Sequence, residues 1–163
     1  MQIANILQKV AEFGTKYITV TGGEPLAQKE CLVLLTALCD AGYSVSLETG
    51  GAMDIANVDA RVSVILDIKT PGSNEEKNML WRNIDYVKPK DEIKFVLCNR
   101  EDYDWAKAKI IALNLVQKCP ILFSPSYHDL PASQLAAWVL EDKLPVRMQI
   151  QLHKILWGEK VGV

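Results

Sequence analysis

Six short runs rich in β-branched and apolar residues alternate along the chain with stretches of helical periodicity. That alternation constrains the fold most, because strands separated by helices imply a parallel sheet with right-handed crossovers. The strand-like runs are 17–21, 44–48, 62–67, 92–97, 121–123 and 147–151. Ile3, Ile6, Leu7, Val10 and Phe13 recur at three and four, predicting a helix over 2–13 with Gly14 as its stop. A second helix is predicted over 29–40, with Leu32, Leu35, Leu38 and Cys39 inward and Gly42 ending it. A third spans 101–114, with Trp105, Ala108, Ile111 and Leu115 at core spacing, and a fourth follows Pro131 over 134–141. Residues 74–83 suit a short helix carrying Met79, Leu80 and Trp81. Six parallel strands fit either an open doubly wound sheet or a partial barrel.

The polar chemistry falls at the strand ends. Thr21–Gly22–Gly23–Glu24, Glu48–Thr49–Gly50–Gly51, Asp67–Ile68–Lys69, Cys98–Asn99, Ser124–Pro125–Ser126 and Gln151–Leu152–His153–Lys154 each follow a predicted strand. In parallel α/β folds those C-terminal ends converge on one face, where ligands bind. Two consecutive glycines at 22 and 23 leave main-chain groups uncovered for close approach, or simply make a tight turn. Glu24 offers an acceptor to a cationic group, or favours a helix N-terminus as a first-turn carboxylate. Glu48 either braces its loop or faces a ribose hydroxyl, and Lys69 is either a ligand contact or an ordinary ion-paired lysine.

A chain of 163 residues suits one domain over 1–163, and 49% apolar residues with a net charge of -2 describe a folded, soluble protein. No basic face points to nucleic acid, and no apolar run approaches the length of a membrane span. A cytoplasmic location is expected. Cys31, Cys39, Cys98 and Cys119 lie far apart. Cys31 and Cys39 share one predicted helix, about 12 Å apart, too far to chelate one ion together. All four suit buried small hydrophobes in a reducing compartment. Trp81, Trp105, Trp138 and Trp157 suit core or interface positions, and His128 a loop.

Thr21–Gly–Gly–Glu–Pro25, Glu48–Thr–Gly–Gly51, Asp67–Ile–Lys–Thr–Pro–Gly72, Lys94–Phe–Val–Leu97, Phe123–Ser–Pro125 and Gln151–Leu–His–Lys154, in that order, resemble the 7-carboxy-7-deazaguanine synthases. These are radical S-adenosylmethionine enzymes of queuosine and deazapurine biosynthesis. The Gly-Gly-Glu-Pro element is shared by radical S-adenosylmethionine enzymes generally, and the Gln-x-His-Lys ending narrows the resemblance to this family. The resemblance implies a partial (β/α) barrel of parallel strands and a homodimer. It implies conversion of 6-carboxy-5,6,7,8-tetrahydropterin to 7-carboxy-7-deazaguanine with loss of ammonia. The implied cofactors are S-adenosylmethionine, a [4Fe–4S] cluster and Mg2+, with the radical chemistry belonging to the cofactor and positioning to the protein.

Residue by residue, the resemblance places Thr21 against substrate, and Gly22, Gly23 and Glu24 at the amino-acid end of the cofactor. Asp67, Ile68 and Lys69 occupy a cofactor segment reading Ser-Pro-Lys in some relatives, of which the lysine is common. Ser124, Pro125, Ser126 and Tyr127 occupy another, of which Pro125 agrees, and Glu48 joins the cofactor set. Gln151, His153, Lys154 and Val163 fall towards the substrate. No residue is assigned a catalytic or metal-binding role.

Family members open with a strand, a substrate-binding segment and a Cys-x3-Cys-x2-Cys loop followed by Asp-Thr, whose threonine helps hold Mg2+. Nothing in this sequence matches them. Three close thiolates are needed to hold such a cluster. The expectation is an N-terminally truncated member, inactive alone for want of cluster ligands. Two alternatives stand beside it: a non-catalytic adenosylmethionine-binding or scaffold module, and a Schiff-base lyase using Lys69.

Overall fold

The computed structural model describes residues 2–158 and 160, with the side chain of His153 outside the described set. Six strands, β1 (Tyr17–Val20), β2 (Ser44–Thr49), β3 (Ser63–Ile68), β4 (Glu92–Leu97), β5 (Ile121–Pro125) and β6 (Arg147–Met148), form one sheet. Every pairing is parallel, and the order is β1-β2-β3-β4-β5-β6. A doubly wound sheet reverses its strand order at a switch point. This sheet never reverses, which is the winding of a barrel opened along one side.

The helices are α1 (Ile3–Glu12), α2 (Cys31–Asp40), α3 (Arg100–Ala112), α4 (Ala132–Asp142) and α5 (Leu152–Trp157). Alternate strand residues such as Leu47, Leu66, Phe95 and Phe123 are fully buried with Leu35, Tyr103, Ala106 and Leu135 of the helices. Edge-on aromatic packing joins the layers: Phe95 meets Phe123 at 5.7 Å, and Tyr103 meets Phe123 at 5.8 Å. Such pairs add about 1 kcal/mol each beyond area burial.

The other set of strand residues is polar for a parallel sheet. Sheets covered on both faces are apolar throughout, whereas β2 to β4 place Ser46, Glu48, Asp67 and Lys94 at alternate, half-buried positions. One face of the half-barrel is therefore core, and the other is polar and half-buried.

Three expectations change. On α3 the buried residues are Asp102, Tyr103, Ala106 and Ile110, while Ile111 is 71% exposed. Tyr103 takes the inward position because its ring fills the space against Phe123 and its hydroxyl donates to the Trp138 carbonyl and to Asp142, both at 2.8 Å. The expected helix over 74–83 is instead a series of 3-10 turns at Pro71–Ser73, Glu76–Asn78 and Trp81–Asp85. β6 is two residues long, and one further ladder bond from Gln149 N–H to the Phe123 carbonyl precedes the turn into α5.

Candidate functional site

Gly22 and Gly23 follow β1 with φ of +102° and +48°, a left-handed backbone that favours glycine. A Cβ at either would meet open space, so both face a hollow rather than packed protein. Glu24 caps the 3-10 turn Pro25–Ala27 by accepting Leu26 N–H at 3.1 Å. The same carboxylate accepts the Thr49 hydroxyl at 2.9 and 2.8 Å and Gly50 N–H at 3.0 Å. Of the roles open to Glu24 from sequence, the capping one is formed, together with a tie between two strand-end loops. Three donors meet a carboxylate with about four lone-pair directions, leaving one for a ligand.

The end of β3 contributes Asp67 and the loop after it Lys69, joined by an ion pair of 2.8 Å. Asp67 Oδ1 is buried and has no hydrogen-bond partner among the described residues. Glu48 accepts the Thr21 hydroxyl at 3.4 Å. Thr21, Gly23, Glu48, Asp67, Lys69 and Lys94 line one cavity of about 100 Å³. It adjoins a hollow of about 780 Å³ that also borders Thr21 to Glu24 and extends under α1 and the start of α2. A third, of about 400 Å³, lies between Glu24, Gly50, Lys69 and Asn78. The three share Gly23, and together they offer more room than one drug-sized ligand fills.

Other predicted residues lie elsewhere. The Ile68 side chain is fully buried, so only its main chain can serve a ligand. Ser124 and Pro125 are buried in β5, and Ser126 donates to Asp129 at 2.5 Å. Tyr127 is exposed against the His128 ring, at 4.9 Å. None of these, nor Gln151 or Lys154 on the approach to and in α5, borders the three hollows. The His153 side chain and Val163 lie outside the described residues.

Sequence reasoning missed three supporting groups. Asp102 is 1% exposed and accepts Gly72 N–H at 2.8 Å and Cys98 N–H at 3.0 Å, binding the loop after β3 to that after β4. Its local signal was present: Asn99 caps α3 by accepting Asp102 N–H at 2.9 Å, an Asn-x-x-Asp start. Asn83 is fully buried and holds the loop after β2 by donating to the Gly51 and Met53 carbonyls at 3.1 and 2.8 Å. Lys94 belongs to a segment that carries the family resemblance, yet it was given no role because it lies within a strand.

The cysteines fit no cluster. Cys31, Cys39 and Cys119 are buried, Cys98 is half-buried, and burial raises the pKa of each thiol. Among the described residues no group of three His, Cys, Asp or Glu could hold a metal ion. An iron–sulfur cluster or Mg2+ thus finds no ligand set there. The glycine-lined hollow, in contrast, does suit S-adenosylmethionine. Among the described residues no helix is long and apolar enough to cross a membrane.

A sequentially wound parallel half-barrel with a polar, glycine-lined pocket at its strand ends defines the class: a ligand-binding α/β barrel protein. No family model matches the chain. It is 42% identical over 161 residues to the 7-carboxy-7-deazaguanine synthase of Chlorobaculum tepidum, covering 97% of this chain and 73% of that protein. The synthase of Koribacter versatilis is 39% identical over 165 residues, covering 93% of this chain and 72% of that one. The crystal structure of QueE from Escherichia coli superposes with a TM-score of 0.70 at 18% identity, covering 93% of this chain and 64% of that chain. Streptococcus suis SuiB bound to S-adenosylmethionine gives 0.60 at 12% identity, over 90% of this chain and 40% of that one, a likeness of fold alone. The chain belongs to the 7-carboxy-7-deazaguanine synthase family of radical S-adenosylmethionine enzymes.

Proposed function

We propose that this chain binds S-adenosylmethionine and a carboxylated pterin at the rim of its half-barrel. The reaction it serves is conversion of 6-carboxy-5,6,7,8-tetrahydropterin to 7-carboxy-7-deazaguanine with loss of ammonia. The observation that carries the reading is the meeting of Thr21, Gly23, Glu48, Asp67 and Lys69 in one cavity of a chain with this ancestry. SuiB, of the same fold, was solved with S-adenosylmethionine bound.

In this reading the uncovered main chain at Gly22 and Gly23 receives the amino-acid end of S-adenosylmethionine, with the remaining acceptor position of Glu24 opposite its ammonium. When bound, that cofactor supplies radical initiation. Glu48 faces the ribose, Lys69 and the main chain of Asp67 and Ile68 flank the adenosyl group, and Thr21 turns its hydroxyl towards substrate. Ser124 to Tyr127 border the far side of the bound cofactor. Gln151, His153, Lys154 and Val163 approach the substrate from the C-terminal side. The protein's own contribution is to orient both molecules and exclude water between them. A [4Fe–4S] cluster, Mg2+ and a homodimeric assembly belong to the proposal through family membership only, as does a cytoplasmic setting.

Calorimetric titration with S-adenosylmethionine and S-adenosylhomocysteine tests it. Saturable binding that Gly23→Val abolishes is expected, because a branched side chain at φ +48° both strains the loop and fills the hollow. No detectable heat at millimolar ligand would overturn the reading.

A further inference from the structure

One wall of the hollow of about 400 Å³ is not part of the sheet. Lys69, Glu75 and Asn78 line it with Gly23, Glu24 and Gly50, and the first three all belong to the segment 69–80. Among the described residues, every hydrogen bond made by 73–79 stays within 70–79. The segment is therefore a strap whose position depends on where its two ends are fixed. The far end is held by Leu80 N–H donating to the Gly51 carbonyl at 2.9 Å and by the buried Met79. The near end is held by the Thr70 hydroxyl, which donates to the Val96 carbonyl at 3.2 Å, and by Asp102, which accepts Gly72 N–H at 2.8 Å.

Asp102 does more than cap its own helix. Asn99 is the N-cap of α3, and a carboxylate three residues on ordinarily returns to the N-cap N–H. The Asp102 carboxylate instead divides its oxygens between Gly72 N–H, 30 residues upstream, and Cys98 N–H at 3.0 Å. Both partners are donors, so a side-chain amide at this position would set an N–H against an N–H. At 1% exposure, water cannot stand in for the missing acceptor. The helix that carries Asp102 is itself fixed in the core by Tyr103, Ala106 and Ile110. Asp102 borders none of the three hollows.

We infer that Asp102 is a positioning residue for the ligand site: without touching a ligand, it pins the strap 69–80 to α3 and so sets where Lys69 stands relative to Glu24 and Gly50. Lys69 lies three residues before the pinned Gly72, and a Cβ on Gly50 would meet its stem at 3.5 Å, so the strap already bears on the loop after β2. A shift of about 1 Å in such a contact is enough to weaken what it does for a bound molecule. The inference rests on the functional reading above for the identity of the ligand, and on the hydrogen bonds alone for the pinning.

The full chain is compared as wild type, Asp102→Asn and Tyr103→Phe, by calorimetric titration with S-adenosylmethionine and by amide hydrogen exchange followed by NMR. Tyr103→Phe is the control: it removes a buried hydroxyl from the same helix, one that bonds to α4 and not to the strap. Asp102→Asn is expected to weaken S-adenosylmethionine roughly tenfold and to speed exchange at the Gly72 and Cys98 amides by a similar factor. Tyr103→Phe is expected to leave affinity within about twofold and both amides unchanged. An equal loss of affinity in Tyr103→Phe overturns the inference, as does Asp102→Asn binding within about twofold of the wild type. A further arm needs no variant and stands even where Asp102→Asn does not fold. Coupling is reciprocal, so saturating S-adenosylmethionine should slow exchange at Gly72 and Cys98 in the wild type, and amides indifferent to the ligand overturn the inference. Wild-type protein that fails to bind S-adenosylmethionine counts instead against the functional reading. Exchange in Asp102→Asn then decides the pinning by itself, and a Gly72 amide no faster than in the wild type overturns it.

Discussion

Glu24 lies on the loop after β1 and Thr49 is the last residue of β2, and the threonine hydroxyl donates to both carboxylate oxygens, at 2.9 and 2.8 Å. The hydroxyl in turn accepts Gly51 N–H at 3.2 Å, so one side chain organises the second loop while anchored on the first. Thr49 is 2% exposed, and its polar atoms have no access to replacement water. Thr49→Val preserves shape and removes the hydroxyl, and is expected to cost about 1–2 kcal/mol. Glu24→Ala strands Leu26 N–H, Gly50 N–H and the Thr49 hydroxyl together, and is expected to cost about 2–3 kcal/mol. Urea denaturation midpoints at constant slope check both values. Equal, negligible losses would show that the tie between the loops has no energetic weight.

A second tie predicts a steric failure. A Cβ placed on Gly72 would lie 2.5 Å from Asp102 Oδ2 and 3.0 Å from Oδ1. Asp102 cannot swing aside cheaply, because it is buried and holds both Gly72 N–H and Cys98 N–H. Gly72→Ala is therefore expected to lower stability by about 2 kcal/mol. It should also weaken S-adenosylmethionine more than fivefold, since Lys69 rides on the same loop. Gly22→Ala is the informative comparison: its cost comes from φ of +102° with no contact to relieve, so a crystal structure should show its neighbours unmoved.

Much of this architecture was legible in the sequence, for reasons that differ by element. The strands were readable because β-branched runs are bounded by glycine, proline and polar clusters. The rule that ligand chemistry gathers at C-terminal strand ends then brought Thr21, Gly23, Glu48, Asp67 and Lys69 into one cavity, as the structure finds. The inward face of α3 was misread because its buried set includes Asp102 and Tyr103, whose burial is satisfied by hydrogen bonds that hydropathy periodicity ignores. Asp102 and Asn83 act on loops 30 and 32 residues upstream, a pairing that no local pattern announces. Lys94 was quoted in the resemblance but given no place in the site, because it lies mid-strand, where the strand-end rule does not look.

The thiols predict a reactivity order. Burial pushes Cys119 up to about 11, with Asp91 adding to the effect, and raises Cys31 and Cys39 as well. Cys98 is raised too, but it is the one cysteine that is not fully buried. Iodoacetamide at pH 8 is expected to label Cys98 first, with the other three at least roughly tenfold slower and dependent on opening of the fold. Because the folded value of Cys119 lies above its ordinary 9.0, its contribution is intact below pH 9 and is lost as pH rises towards 11. Cys119→Ala should flatten that alkaline decline. Peptide mapping of alkylated protein and melts across pH 8 to 11 measure the two outcomes, and uniform labelling of all four thiols would contradict the first.

Asp142 makes the opposite prediction at the acid end. The Lys107 ammonium, 2.7 Å away, is the main reason its carboxyl lies below the ordinary value, and the Tyr103 hydroxyl at 2.8 Å is the second. A carboxyl whose folded pKa is depressed contributes stability above its unfolded value of 3.8 and loses it as pH falls through the folded one. Asp142→Asn keeps the shape and the acceptor for Tyr103 but removes the charge that attracts Lys107. The variant should therefore melt below the wild type at pH 7, and the gap should close as pH drops under about 4, where the wild-type carboxyl is itself taking up a proton. Convergence of the two curves is the distinguishing result. A gap that stayed constant from pH 7 to pH 2.5 would mean that Asp142 acts through packing at the α3–α4 junction and not through its charge.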